Sequence, residues 1–207
     1  MARRAAPEVN AGSMADIAFL LLIFFLVTTT IEVDSGISSK LPPEMEDEVP
    51  PPIKEKNIFQ VLVSKDNQLL VEESPMEIKD LTEAAVAFID NGGGEGAKGC
   101  AYCQGAKDPE SSDNPKKAVV SLVNDRQASY KYYVTVTNEL VRAYTILRNR
   151  ESLKKFNEPY EAMVIRLKDW PADDKESPEY EDLEDKIKEI REMYPRNLSE
   201  AEPQKAG

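Results

Sequence analysis

The sequence predicts an α+β protein: a single N-terminal transmembrane helix, a Pro-rich linker, a small ββαβαβ domain with helices on one face of a mixed sheet, and a C-terminal amphipathic helix. Three observations predict it. Residues 14–31 are the only run apolar enough for lipid. A stretch dense in proline and acid follows at 32–57. After Ile58, β-branched runs alternate with segments whose apolar residues recur at helical spacing. The expected parts are an N-terminus (1–13), the membrane helix (14–31), the linker (32–57), the folded domain (58–168, with an insertion at 92–115) and an acidic extension (169–207).

Arg3 and Arg4 precede the apolar run, whereas Glu32 and Asp34 follow it. The positive-inside bias therefore places the N-terminus in the cytoplasm and the rest of the chain on the periplasmic or outer side. A helix over 15–31 would be about 25 Å long, enough to span once when its flanks contribute. It carries one acid, Asp16. An ionised acid at the centre of a bilayer costs roughly 2.5–3.5 kcal/mol, so an intramembrane Asp marks a functional site. At 3.6 residues per turn Asp16 shares a stripe with Leu20, Ile23, Val27 and Thr30, and the helix offers it no basic partner. The partner must come from another chain, from water or from a proton. A carboxyl moved out of water favours its neutral form and ionises when a wet path opens, which is the chemistry of a proton carrier. The competing reading puts Asp16 at the membrane edge, capping the helix start beside Ser13. A cleaved signal peptide fits less well, because the acid interrupts the apolar run and Thr28-Thr29-Thr30-Ile31-Glu32 is a poor cleavage site.

The run Asn10-Ala11-Gly12-Ser13-Met14-Ala15-Asp16-Ile17-Ala18-Phe19-Leu20-Leu21-Leu22-Ile23-Phe24-Phe25, followed by Val27-Thr28-Thr29, resembles the signature helix of the ExbD/TolR family. The resemblance implies that Asp16 corresponds to the family's proton-carrying acid. It also implies a homodimer whose helices sit inside a ring of polytopic ExbB/TolQ-like subunits in the bacterial inner membrane. Leu20, Ile23 and Val27 would then face the partner, with Thr28 and Thr30 at the exit. A TonB-like or peptidoglycan-associated protein is the implied periplasmic partner, and protons replace any cofactor.

The linker holds Pro42-Pro43, Pro50-Pro51-Pro52 and the acids Glu44, Glu46, Asp47 and Glu48, so it reads as a stiffened, extended spacer or a plain tether. Val33, Ile37 and Leu41 are apolar enough to add as an edge strand. Residues 58–63 and 69–72, joined by Lys65-Asp66-Asn67-Gln68, predict a hairpin. Ser74-Pro75 breaks the run before a helix over 77–90, with Leu81, Ala84, Ala85, Phe88 and Ile89 on one face, stopped by Asn91-Gly92-Gly93-Gly94. Residues 118–123 predict a strand buried on both faces. A second helix over 129–150 follows, with Tyr133, Val136, Leu140, Val141, Tyr144 and Leu147 at helical spacing. Residues 162–167 predict the last strand. The order ββαβαβ also resembles the family's periplasmic domain, with Leu122, Asp125 and residues 132–144 matching its third strand, polar loop and following helix.

The insertion holds both cysteines as Cys100-Ala101-Tyr102-Cys103. Such a pair can be a redox couple, half a zinc site or a crosslink. Gly99 before it and Gln104-Gly105 after it describe a loop rather than the helix start that thioredoxin-like chemistry needs. Zinc needs four ligands, and the chain has two Cys and no His, so no metal site is expected. In an oxidising compartment the pair predicts a disulfide that staples a glycine-rich loop. In the extension, Ser177-Pro178-Glu179 starts a helix, Tyr180, Leu183, Ile187, Ile190 and Met193 form one stripe, and Pro195 ends it. That stripe packs on its own domain or on a partner.

A net charge of −12 has the wrong sign for nucleic acid. The absence of His removes Ser-His and Cys-His nucleophile arrangements, so no enzyme is expected. The reading that follows is a proton-motive-force transducer coupling an inner-membrane complex to work at the outer membrane, foremost TonB-dependent uptake. Two alternatives remain: a membrane-anchored periplasmic binding or scaffold module without proton transfer, and a tethered thiol protein acting through Cys100 and Cys103.

Overall fold

In the computed structural model, residues 11–28, 53–96 and 99–201 are described, and they fall into two units that divide at residues 49 and 50. The first unit contributes one helix, α1 (Ala11–Thr28, 18 residues). The expected strand residues Val33, Ile37 and Leu41 lie outside the described residues, as does most of the linker.

The second unit is an α+β fold with a mixed sheet. Its first strand, β1 (Ile58–Val63), runs through the turn at residues 64–68 into β2 (Leu69–Val71), pairing antiparallel with Val61 opposite Val71. Asn67 takes a positive φ of 56° in that turn, a conformation Asn tolerates better than most residues, and donates its amide to the Ser64 carbonyl. A two-residue strand, β3 (Ser74–Pro75), adds at the edge, where Pro75 has no ladder partner to disappoint on its outer side.

Next comes α2 (Ile78–Ile89), then, beyond the insertion, β4 (Val119–Asn124), which lies parallel to β1 with Val61 opposite Leu122. The long helix α3 (Tyr130–Phe156) continues six residues past its expected end and closes on Asn157 in the left-handed region. Two further helices, α4 (Tyr160–Lys168) and α5 (Pro178–Met193), precede the last strand, β5 (Leu198–Ala201), which pairs parallel to β4. The sheet order is β3-β2-β1-β4-β5.

Alternation along the strands sets the layers. Phe59, Val61, Val63, Leu69, Val71, Val120 and Leu122 are buried in one cluster with Leu81, Ala85 and Ile89 of α2 and Val136, Leu140, Tyr144 and Leu147 of α3. The intervening residues, Gln60 and a 41% exposed Leu62 among them, face away. β4 is therefore buried on one face, not on both as its continuous apolar run predicts. Leu140 has no exposed surface. Leu140→Ala is expected to lower stability by about 2–5 kcal/mol, read as a shift in the thermal unfolding midpoint with unchanged secondary structure at low temperature.

Residues 162–167 are not a strand: they form the body of α4. The run fits both periods, and the partner decides. Tyr160, Met163, Val164 and Leu167 fall on one helical face and pack with Leu183, Ile187 and Ile190 of α5 in a second core, whereas Ile165 is 60% exposed. A buried strand would have hidden Ile165. Pro159 at the helix entry and the left-handed Asn157 just before it separate α4 from α3. The place at the sheet edge is taken by β5, which the sequence analysis leaves unassigned. Ser177 caps α5 as its Ser-Pro start predicts, accepting a hydrogen bond from the Tyr180 amide at 3.3 Å.

Candidate functional site

Asp16 stands in the first half of α1, in a helix without Lys or Arg. Its side chain is exposed, and so are Met14, Ile17, Leu20, Leu21, Leu22, Ile23 and the two aromatic rings Phe19 and Phe24. These apolar residues surround the helix rather than forming one stripe. A helix apolar on every side has no reason to stay in water and gains stability only by burial in lipid or among other chains. Asp16, Leu20 and Ile23 share one face at spacings of four and three residues. Val27 and Thr28 lie in the backbone of the same helix, but their side chains, and Thr30 altogether, are outside the described residues. At about 1.5 Å per residue α1 is about 27 Å long, and among the described residues no helix is long and apolar enough to cross a membrane.

In the second unit, a buried polar network gathers where α2 and α5 end against the last third of α3. Asp90 closes α2 and receives Arg150 of α3 in a two-point ion pair, Nη1 to Oδ2 at 2.6 Å and Nη2 to Oδ1 at 2.9 Å. Tyr194, immediately after α5, donates its hydroxyl to Asp90 Oδ1 at 2.6 Å and accepts from Arg150 at 2.8 Å. Arg148 donates twice to the Tyr194 carbonyl, at 3.0 and 2.7 Å. The bond to Asp90 pushes the Arg150 guanidinium further toward its charged form, and burial with the adjacent carboxylate pushes the Tyr194 hydroxyl well above its ordinary value. Arg150 and Tyr194 are thus each held in one protonation state, which suits a structural joint rather than an acid or base.

The insertion folds against this joint. Cys100 and Cys103 are joined in a disulfide. The Gln104 amide donates to Asp90 Oδ2 at 3.2 Å and the Gly105 amide to the Asp90 carbonyl at 3.0 Å. Asn91 holds the far limb through the carbonyls of Asp108 and Ser112, at 2.9 and 2.8 Å. At the end of the insertion, Asp113 pairs with Lys56 at 2.6 Å and with Lys117 at 3.6 Å; its own amide donates to Asn57 Oδ1 at 2.8 Å. The hydrogen bond from Lys56 holds the Asp113 carboxyl below the usual carboxylate range. Its stabilisation is therefore complete above the ordinary Asp value and lost as pH falls through the depressed one. Wild-type thermal stability is expected to fall on acidification below roughly pH 4, and Asp113→Asn should flatten that part of the profile, as thermal melts from pH 2.5 to 6 would show.

Among the described residues no cluster of three His, Cys, Asp or Glu side chains is placed to hold a metal ion. Sequence reasoning singled out Asp16 and the cysteines but missed the Asp90–Arg150–Tyr194 joint. Asp90 and Arg150 read as helix-end residues and Tyr194 as the residue before a proline, so no local signal joined them.

An apolar helix with one acid is followed in the chain by a small α+β domain with a mixed sheet. Residues 2–149 match the family described as biopolymer transport protein ExbD/TolR. The chain belongs to the ExbD/TolR family. Members are inner-membrane-associated energy-transduction subunits of biopolymer transport, without enzymatic activity, and generally work with ExbB/TolQ. No individual curated protein matches the chain. The family match covers the helix, the hairpin, α2, the insertion, β4 and most of α3; residues 150–207, with α4, α5 and β5, lie beyond it.

Proposed function

We propose that this chain is the proton-carrying subunit of an ExbB/TolQ-type inner-membrane complex and couples the proton motive force to work at the outer membrane, foremost TonB-dependent uptake. The observation that carries the reading is Asp16, the single charged residue of a helix that is apolar all round. In this reading residues 14–31 cross the membrane once with the N-terminus cytoplasmic, and two copies of the helix sit within a ring of polytopic subunits. Leu20, Ile23 and Val27 meet the ring, and Thr28 and Thr30 lie at the exit.

A protonated Asp16 is neutral and tolerated between apolar walls; an ionised one requires water or a polar partner. Alternating between the two as the ring presents dry and wet surroundings turns proton passage into a change in which contacts the helix prefers. Only the difference in affinity between the two states can drive movement. The folded domain then delivers that movement to a TonB-like or peptidoglycan-associated partner. The test is energy-dependent outer-membrane uptake in cells carrying Asp16→Asn, beside blots of protein level and membrane fraction. Uptake at the wild-type rate would favour the anchored scaffold without proton transfer.

A further inference from the structure

The insertion and the extension are joined at one side chain. Tyr102, between the two cysteines, donates its hydroxyl to the Met193 carbonyl at 2.7 Å, and its ring packs edge-on against Tyr194 with centroids 5.4 Å apart. Met193 ends α5, and five residues later the chain enters β5. That strand is short, Ser199, Glu200 and Ala201 are exposed, and it is held by the four-residue ladder to β4, by Leu198 packed on the core, by the Tyr133 hydroxyl, which donates to Glu200 at 2.7 Å, and by Asn197, which bonds Lys116 and Ala118 carbonyls at 3.1 Å each and the Val120 amide at 2.9 Å. Where α5 ends therefore decides whether β5 reaches its place.

The disulfide decides where Tyr102 is. Closing so small a ring constrains the unfolded chain little, so the effect of the bond is local. The loop also presses on the exit of α2: Gly92 has a φ of +69°, and a Cβ there would lie 2.8 Å from the Cβ of Cys103. The two sulfurs are not equivalent. Cys103 is 7% exposed, whereas Cys100 is half-buried and open to a nucleophile. The Cys103 amide donates to Cys100 Sγ at 3.1 Å, placing a donor on the sulfur that leaves as a thiolate when a mixed disulfide at Cys100 is resolved.

We propose that Cys100–Cys103 is a reduction site for a dithiol, and that its redox state governs the docking of the α5–β5 extension on the sheet. One thiolate of the dithiol attacks Cys100 Sγ; the S–S bond breaks, and its electron pair leaves on Cys103 Sγ, which takes a proton. The second thiolate then attacks the reductant sulfur of the mixed disulfide and releases Cys100. The dithiol ends as a disulfide, and the protein gains two electrons and two protons. With the ring open, Tyr102 is released from its fixed position over Tyr194 and Met193, and residues 193–201 keep the bonds of Tyr194 to Arg148, Asp90 and Arg150 but lose the one that ties them to the insertion.

The experiment uses the full chain in detergent, with dithiothreitol as the reductant and amide hydrogen exchange read by mass spectrometry before reduction, after it and after reoxidation. Reduction should speed exchange in residues 193–201 by about tenfold or more, reversibly, and leave the amides of β1 and α2 unchanged. Tyr102→Phe should give part of that increase with the disulfide intact. The Cys100→Ser, Cys103→Ser double variant should match reduced wild type and ignore dithiothreitol; should it fail to fold, wild-type reduction and Tyr102→Phe decide alone. The proposal is overturned by unchanged exchange in 193–201 after full reduction, by an equal rise throughout the core, or by a disulfide that dithiothreitol leaves intact in the native protein.

Discussion

Cells carrying Asp16→Asn are expected to lose energy-dependent outer-membrane uptake to the level of a strain lacking the protein, with normal amounts of the variant in the membrane fraction. Asparagine keeps the size and hydrogen-bonding capacity of the side chain and removes its titration. The substitution should not impair insertion, since removing a charge, which costs roughly 2.5–3.5 kcal/mol at mid-bilayer and less near a helix end, favours the inserted helix. Asp16→Glu keeps the carboxyl and moves it by one methylene, so it should retain part of the activity. An Asn variant that takes up substrate like wild type would remove proton transfer from the account of this process.

Asp90→Ala is expected to destabilise the folded domain by about 3 kcal/mol, because it removes the acceptor of the Arg150 fork and of the Tyr194 hydroxyl and leaves Arg150 with Glu151, at 3.0 Å, as its remaining anion. For a domain of this size the loss corresponds to a fall of about 10 °C in the thermal midpoint. Arg150→Met should cost a similar amount by stranding Asp90. Asp90→Leu with Arg150→Met removes both charges and should cost less than the sum of the single changes, the excess being the coupling energy of the pair. Thermal melts of the four proteins measure it. Additive costs would show that the two groups are separately solvated and that the joint of α2, α3 and α5 is held by packing alone.

These two expectations come from different depths of reading. Asp16 stands out in the sequence because the signal is local: one acid inside an apolar run is conspicuous whatever the rest of the chain does. The β1–β2 hairpin, α2 and α5 were legible for the same reason, each carrying its own period and its own stop, at Asn67, at Gly92 and at Pro195. α4 was not. Met163, Val164, Ile165 and Leu167 form a short apolar run that a strand or a helix can use, and the choice fell to α5, whose Leu183, Ile187 and Ile190 offer a helical groove to Tyr160 and Met163. β5 was invisible for the opposite reason, since Leu198-Ser199-Glu200-Ala201 has almost no strand character and becomes one by completing the ladder of β4.

By itself, then, the sequence determined the family, the α+β class, the lone acid of the first helix and most element boundaries, because hydrophobic period, proline, glycine and a misplaced charge act over a few residues. The tertiary structure alone decided that 162–167 is helical, that the sheet edge is filled from the far end of the chain, and that Asp90, Tyr102, Arg150 and Tyr194 meet. The last of these outcomes depends on partners between 44 and 104 positions apart in the chain. No local pattern encodes such a meeting; burial, which makes each unpaired charge costly, selects it.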